Sequence, residues 1–180
     1  MAPSIFYPTH ESTARRIVHQ GGQWAGKTVN ILISYAIHGA QNTSKKLGYG
    51  NEIITITSES VPHLRGGALR DFENFVLPYF EPFIKNYNRT DRIIYFKSGG
   101  LIEFKSFETE SKARGAKRTR LFVNEANTFD YMIFFQLDSR TDIQTIIDYN
   151  PTAKFWAHDK LIGQDGTDFF ISDHRHNPFL

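Results

Sequence analysis

The sequence predicts an α/β fold with a mostly parallel central sheet, and three observations predict it. A glycine-bracketed loop, Gly21-Gly22-Gln23-Trp24-Ala25-Gly26-Lys27-Thr28, stands between a short apolar run and a long apolar-rich segment. The β-branched run from Asn51 to Ser58 follows it. Two more apolar runs, Leu121-Phe122-Val123 and Gln144-Thr145-Ile146-Ile147, pass directly into polar residues. Continuous apolar strands suit a sheet covered on both faces, and such sheets bind ligands beyond the carboxyl ends of their strands.

Taken in order, residues 1 to 14 form a polar lead-in containing Pro3 and Pro8, expected to pack beside a nucleotide base without forming an element of its own. Arg16-Ile17-Val18-His19-Gln20 reads as the first strand. The loop that follows has the G-x-x-x-x-G-K-[ST] spacing of a Walker A phosphate-binding loop. The segment from Thr28 to Ile37 reads as its helix, closed by Gly39. Residues 51 to 58 form the next strand, which a right-handed crossover places parallel to the first, with the loop's helix covering the sheet. The glycine pair Gly66-Gly67 suggests a loop before a helix starting near Ala68, since Leu69, Phe72, Val76 and Leu77 recur at helical spacing. Arg92 to Phe96 and Leu101 to Phe107 alternate around Lys97-Ser98-Gly99-Gly100, the pattern of an antiparallel hairpin at a sheet edge. After the strand at 121–123, Thr128 is placed to cap a helix running to about Leu137. A last buried strand from Gln144 ends in the turn Asn150-Pro151-Thr152.

The loop sets the chemistry. Gly21, Gly22, Gln23, Trp24, Ala25 and Gly26 wrap their backbone around phosphate oxygens, and the helix N-terminus favours the same anion. Lys27 is expected to reach the β- and γ-phosphates of ATP, and Thr28 to offer its hydroxyl to Mg²⁺. Leu121-Phe122-Val123 followed by Asn124-Glu125 has the form of Walker B. Glu125 is the candidate to activate water, and Asn124, standing where an aspartate usually holds Mg²⁺ through its water shell, offers an amide oxygen without charge. Asp148, Asn150 and Thr152 emerge at a carboxyl edge, where a polar group such as Asn150 can touch the γ-phosphate. Arg114 is the leading candidate for the arginine that meets phosphoryl charge, with Arg65 and Arg140 behind it.

Composition narrows the classes. A chain of 180 residues fits one domain; 40% hydrophobic and 22% charged residues are those of a globular protein. Without cysteine, disulfides and thiolate metal sites are excluded, and the histidines show no pairing with carboxylates at zinc-ligand spacing. The N-terminus lacks the pattern of a signal peptide, no stretch approaches a membrane span, and a cytosolic location is the expectation. The net charge of +2 does not demand a nucleic-acid partner. The local run from Ser111 to Arg120 does carry five basic residues and no acidic one, and its Lys112, Lys117, Arg118 and Arg120 suit either phosphate contacts or a subunit interface.

Taken together the motifs resemble one family, the ATPase domain of the large terminase subunit of tailed bacteriophages. The resemblance runs in order through Gly21 to Thr28, Leu64-Arg65-Gly66, Asn88-Arg89-Thr90, Ile102-Glu103-Phe104, Arg114-Gly115-Ala116-Lys117-Arg118 and Val123-Asn124-Glu125-Ala126-Asn127. It continues with Gln136 to Thr141, Asp148 to Thr152, Phe155-Trp156 and Asn177-Pro178-Phe179-Leu180. It implies a P-loop NTPase fold of the additional-strand, catalytic-glutamate (ASCE) type, and ATP hydrolysis that drives double-stranded DNA into a viral procapsid. It also implies a homo-oligomeric ring on the portal protein, a small terminase subunit as partner, no membrane, and residence in the cytoplasm of an infected bacterial host. In such rings an arginine shortly before Walker B acts on the neighbour's nucleotide, which favours Arg114; Asn150 and Thr152 resemble the motif that couples hydrolysis to movement. Two departures stand out: Gln23 replaces the family's usual arginine and Trp24 a small residue, and the chain stops at Leu180, about where the family's ATPase domain gives way to a nuclease domain, so no DNA cleavage is expected of it. Two other readings compete: a P-loop small-molecule kinase, whose rate would answer to an acceptor, and a nucleotide-binding interaction module with a degenerate catalytic site, signalled by Asn124 and Gln23.

Overall fold

The structure, a computed structural model, describes residues 5–22, 25–115, 117–173 and 175. Its first half runs α1 (Phe6–Glu11), β1 (Arg16–Gly21), α2 (Lys27–Gln41), α3 (Thr43–Lys46), β2 (Ile53–Thr57), α4 (Val61–Gly66), α5 (Ala68–Asp71), a π-turn (Phe72–Val76), α6 (Leu77–Phe80) and β3 (Ile84–Asn88). The second half runs β4 (Ile93–Phe96), β5 (Leu101–Phe104), α7 (Glu110–Ala113), β6 (Arg118–Val123), α8 (Tyr131–Asp138), β7 (Thr141–Tyr149), α9 (Trp156–Lys160) and β8 (Thr167–Ser172).

The eight strands form one sheet in the order β3-β4-β5-β2-β6-β7-β1-β8. Parallel pairings link β5 to β2, β2 to β6, β6 to β7, β7 to β1 and β1 to β8. The expected hairpin, β4 with β5, lies toward one edge, and β3 adds a further antiparallel strand outside it. Only β4 therefore runs against the rest. The strands β1 and β2 are parallel as expected, but β6 and β7 lie between them.

Alternation within the strands builds two cores. Ile17, Phe122 and Ile146 face α2 and the 61–83 helical run, joining Ile31, Leu32, Tyr35, Leu64, Leu69 and Phe72. Their neighbours Val18, Leu121, Val123 and Ile147 face the other way, onto Ala113, Phe134, Leu137 and Ala157 of α7 to α9. This is a three-layer α/β/α domain, and its parallel strands bring the carboxyl ends of β2, β6, β7, β1 and β8 to a common edge.

Four local expectations are corrected. Residues 6–11 form a helix, because Pro8 falls in its first turn, where a missing N–H costs nothing. The segment before Ala68 is helical from Val61, with Pro62 in the first turn and Ser60 accepting the His63 N–H; burial of Leu64 and Ala68 overrides the glycine pair. Gly39 does not end its helix. The helix continues to Gln41 and stops at Asn42 in the left-handed region, while a Cβ at Gly39 would stand 2.5 Å from the Phe96 ring, so glycine here serves close helix-to-sheet approach. Finally, Asp130 and not Thr128 caps α8, accepting the Met132 N–H at 2.7 Å.

Candidate active site

The phosphate loop begins as β1 ends. Gly21 is the last residue of that strand, and a Cβ there would lie 2.4 Å from the Ser172 carbonyl oxygen at the end of β8. Gly26 takes φ 74°, a left-handed conformation suited to glycine, and opens α2; its carbonyl accepts both the Asn30 N–H (3.1 Å) and the Asn30 side-chain amide (2.7 Å). Gln23 and Trp24 lie outside the described residues, as do Ala116 and the segment from Asn177 to Leu180. Lys27 is buried, and its ammonium donates to the carbonyl oxygens of Gly21 (2.6 Å) and Gly22 (3.0 Å) and to Asn150 Oδ1 (3.1 Å). Burial lowers its pKa, and the charges of Asp148 and Glu125 oppose that.

Across the cleft stand the ends of β6 and β7. Because Ile146 faces α2, strand alternation turns Asp148 to the same face, and Phe122 does the same for Asn124. Asp148 is almost fully buried and gathers the site. Its Oδ2 accepts the Thr28 hydroxyl (2.7 Å), and its Oδ1 accepts the Asn124 side-chain amide (3.0 Å) and the Glu125 N–H (2.8 Å). Burial pushes the Asp148 carboxyl up, while the Glu125 N–H, the Lys27 ammonium, the Thr28 hydroxyl and the Asn124 amide all favour its ionised form. Asn124 is itself buried, and its Oδ1 accepts the Ser58 hydroxyl at 3.3 Å.

Glu125 is exposed and takes φ 56° and ψ 51°, a left-handed conformation that is strained for a residue with a Cβ. Three contacts hold it there: its N–H on Asp148, and its carbonyl accepting both the Thr128 N–H (3.0 Å) and the Thr128 hydroxyl (2.8 Å). Lys27, Thr28, Asn124, Glu125, Asp148, Tyr149 and Asn150 line a single open cleft. The hydroxyl, carboxylate and amide oxygens gathered there are the hard donors that Mg²⁺ takes, so the residues present fit the metal.

No protein-family model matches this sequence, and no curated protein matches it. Solved structures do match in fold. The large terminase of a thermophilic bacteriophage, in complex with ADP, superposes over 99% of this chain and 47% of its own, with a TM-score of 0.72 at 15% identity. The fold is that of a large-terminase ATPase domain. The ATPase domain of the Thermus phage P74-26 large terminase agrees over 95% of this chain and 80% of its own (TM-score 0.66, 15% identity). The HK97 bacteriophage large terminase agrees over 93% of this chain and 38% of its own (TM-score 0.61, 11% identity). This chain spans about half the length of the thermophilic-phage terminase it matches.

On this terminase-type scaffold the sequence-expected residues divide. Gly21, Gly22, Gly26, Lys27, Thr28, Asn124, Glu125 and Asn150 meet at the cleft or its loop, and Ala25 is buried beside them. Arg114 stands apart: it is exposed and pairs with Glu110 at 3.6 Å. Arg140 belongs to the opposite edge of the sheet, its carbonyl accepting the Arg118 N–H where β6 and β7 begin. Arg65 is exposed on α4, two residues before Gly67, which lies close to Asn124.

The basic run requires a correction. Arg118 and Arg120 begin β6 and are buried, at 3% and 5% exposure. Arg118 donates to Thr55 Oγ1 (3.1 Å) and the Leu137 carbonyl (2.8 Å), and Arg120 to Gln144 Oε1 (3.2 Å). Neither is presented to DNA phosphates or to a neighbouring subunit. The residue underweighted by sequence reasoning is Asp148, whose central role depends on β7 lying between β1 and β6. The available signal was its even spacing from Ile146 in a strand ending at the phosphate edge.

Proposed function

We propose that the chain is a Mg²⁺-dependent ATPase domain whose hydrolysis of ATP powers the movement of double-stranded DNA into a viral procapsid. One observation carries this reading: Lys27 and Thr28 of the phosphate loop, Asn124-Glu125 from β6 and Asp148-Asn150 from β7 converge on one cleft in a fold shared with terminase ATPase domains. The thermophilic-phage terminase has been described in complex with ADP and with ATP-gamma-S, which supports a nucleotide as the occupant.

In this reading the backbone of residues 21 to 26 cradles the phosphates, and Lys27 gives up its three oxygen partners to bind β- and γ-oxygens. Thr28 and the Asn124–Asp148 pair would hold Mg²⁺, which would supply positive charge against the charge that develops on the transferred phosphoryl group. Glu125 stands exposed at the cleft and positions the attacking water. Asn150, already on Lys27, reports the γ-phosphate to β7. Arg114, outward-facing beside a short helix, serves a neighbouring subunit in a ring on the portal, with a small terminase subunit as a further partner in the host cytoplasm. Among the described residues no helix is long and apolar enough to cross a membrane.

The test is thermal melting with and without Mg-ATP, followed by phosphate release. A ligand at about 100 times its dissociation constant stabilises the native state by about 2.7 kcal/mol. Wild type should show the shift and Lys27→Ala should lose it; Glu125→Gln should keep the shift and release no phosphate. Stimulation by DNA and portal protein supports the packaging role, whereas stimulation by a small acceptor alone marks a kinase. Phosphate release unaffected by Glu125→Gln removes Glu125 from its role.

A further inference from the structure

The Walker B position expected to carry a metal-holding aspartate is Asn124, which is neutral. Read alone, this weakens the site. The structure shows where the missing charge stands. Two carboxylates border the cleft, Glu125 and Asp148, and only Asp148 accepts the Thr28 hydroxyl, at 2.7 Å. A threonine hydroxyl that gives its hydrogen to a carboxylate turns its lone pairs away from that carboxylate, toward any cation seated at the helix N-terminus. Strand order permits this. With β7 inserted between β1 and β6, the end of β7 lies directly under the start of α2 and beside Asn124.

Asn124 is occupied on both sides. Its Nδ2 donates to Asp148 Oδ1 at 3.0 Å and its Oδ1 accepts from Ser58. An aspartate at position 124 would set a second carboxylate against Asp148 across that same 3.0 Å, and two carboxylates so close do not both stay ionised. The asparagine is thus the residue that an acidic Asp148 requires as its neighbour.

We propose that Asp148 supplies the negative charge of the metal half of the site, acting through Thr28, and that Asn124 is the neutral brace that orients it. The acid of the Walker B pair has in effect moved from β6 to β7. This rests on the nucleotide-binding reading above.

The experiment is a titration of a fluorescent ADP analogue into the full chain, in Mg²⁺ and in EDTA, for wild type, Asp148→Asn and Asn124→Ala. Wild type should bind more tightly in Mg²⁺ by about tenfold or more. Asp148→Asn, of the same shape, should bring the ratio of the two affinities close to one by weakening binding in Mg²⁺ without weakening it in EDTA, a pattern that a merely structural role would not produce. Asn124→Ala should keep most of the ratio. If Asp148→Asn does not fold, Thr28→Val decides, since it removes the hydroxyl through which Asp148 is proposed to act: loss of the Mg²⁺ dependence supports the assignment, and a dependence that survives overturns it. A ratio that survives Asp148→Asn overturns it likewise while leaving nucleotide binding intact. A wild-type chain that binds no analogue in either condition, and is not stabilised by Mg-ATP, refutes the nucleotide reading itself.

Discussion

The two edges of the sheet bury charge in opposite ways. At the amino edge, where β1, β2, β6 and β7 begin, cations meet anions directly. Asp138 takes Arg15 at 3.3 Å and Arg16 at 2.8 Å, while Glu52, fully buried, takes Arg120 Nε at 3.3 Å as an ion pair without the alignment of a hydrogen bond. At the carboxyl edge, Lys27 and Asp148 lie in one cleft, yet each is satisfied by neutral groups. Lys27 donates to two carbonyls and an amide oxygen, and Asp148 accepts from a hydroxyl, an amide and a backbone N–H. Charges neutralised against one another hold a fold together. Charges held apart by neutral partners keep their field for a ligand.

The largest effect expected is at the amino edge. Glu52 accepts from Thr43, Thr119 and the Ser44 N–H besides pairing with Arg120, so Glu52→Ala takes the counter-charge from a buried guanidinium that keeps Gln144 Oε1, and an acceptor from the Ser44 N–H and two threonine hydroxyls. Breaking a buried pair from one side costs about 3–5 kcal/mol. Urea unfolding should register that loss, whereas Asp148→Asn, which keeps its shape and two of its acceptor contacts, should cost less than half as much. Equal losses would erase the distinction between the edges.

Between the edges, on β1 and α2, two imidazoles are withdrawn from water, His19 fully and His38 in part, and among the described residues the charges that shift them are cationic. His19 is held neutral down to about 3 by burial and by the Lys27 charge, and His38 likewise to about 3 by burial, Arg120 and His10. An unfolded histidine titrates near 6.5, so between the two values the unfolded chain binds more protons and stability falls as the pH is lowered. Each histidine contributes a slope of up to about 1.4 kcal/mol per pH unit. Unfolding midpoints measured from pH 7 to pH 5 should show it, and His38→Gln should remove up to one proton's share. A flat profile over that range would mean that these rings have a charged partner after all.

How much of this was legible follows from what is contiguous in the chain. The described loop residues, the strand before them and the helix after them, and the Asn124-Glu125 pair just past the end of β6 are each written in a few successive residues, and they stand on the elements expected, although the helix runs past Gly39. The Asp148–Thr28 bond joins residues 120 apart and exists only because β7 is inserted beside β1. Spacing says nothing about which strands are neighbours. The basic run misled for a related reason. Arg118 and Arg120 resemble a solvated face in composition, but they open a strand whose six residues are all buried, and the groups that accept them, Thr55, Leu137, Gln144 and Glu52, come from four other segments.

The smallest expected effect concerns the one strained residue of the cleft. Glu125 sits at φ 56°, where a Cβ costs about 1–2 kcal/mol, and the conformation is imposed by Asp148 and Thr128. Glu125→Ala keeps the Cβ and the strain, and Glu125→Gly removes both. The glycine chain is also freer when unfolded, which takes back about 0.4–1 kcal/mol. Glycine should therefore be the more stable of the two by roughly 0.5–1 kcal/mol, a melting temperature higher by about 1–4 °C for a chain of this size. Neither variant should release phosphate. In most exposed positions the order is reversed, alanine being the more stable. An Ala variant that melts above the Gly variant would mean that Glu125 relaxes out of the left-handed region once its side chain is gone. The strain would then belong to the carboxylate's own placement and not to the bracket of Asp148 and Thr128 around it.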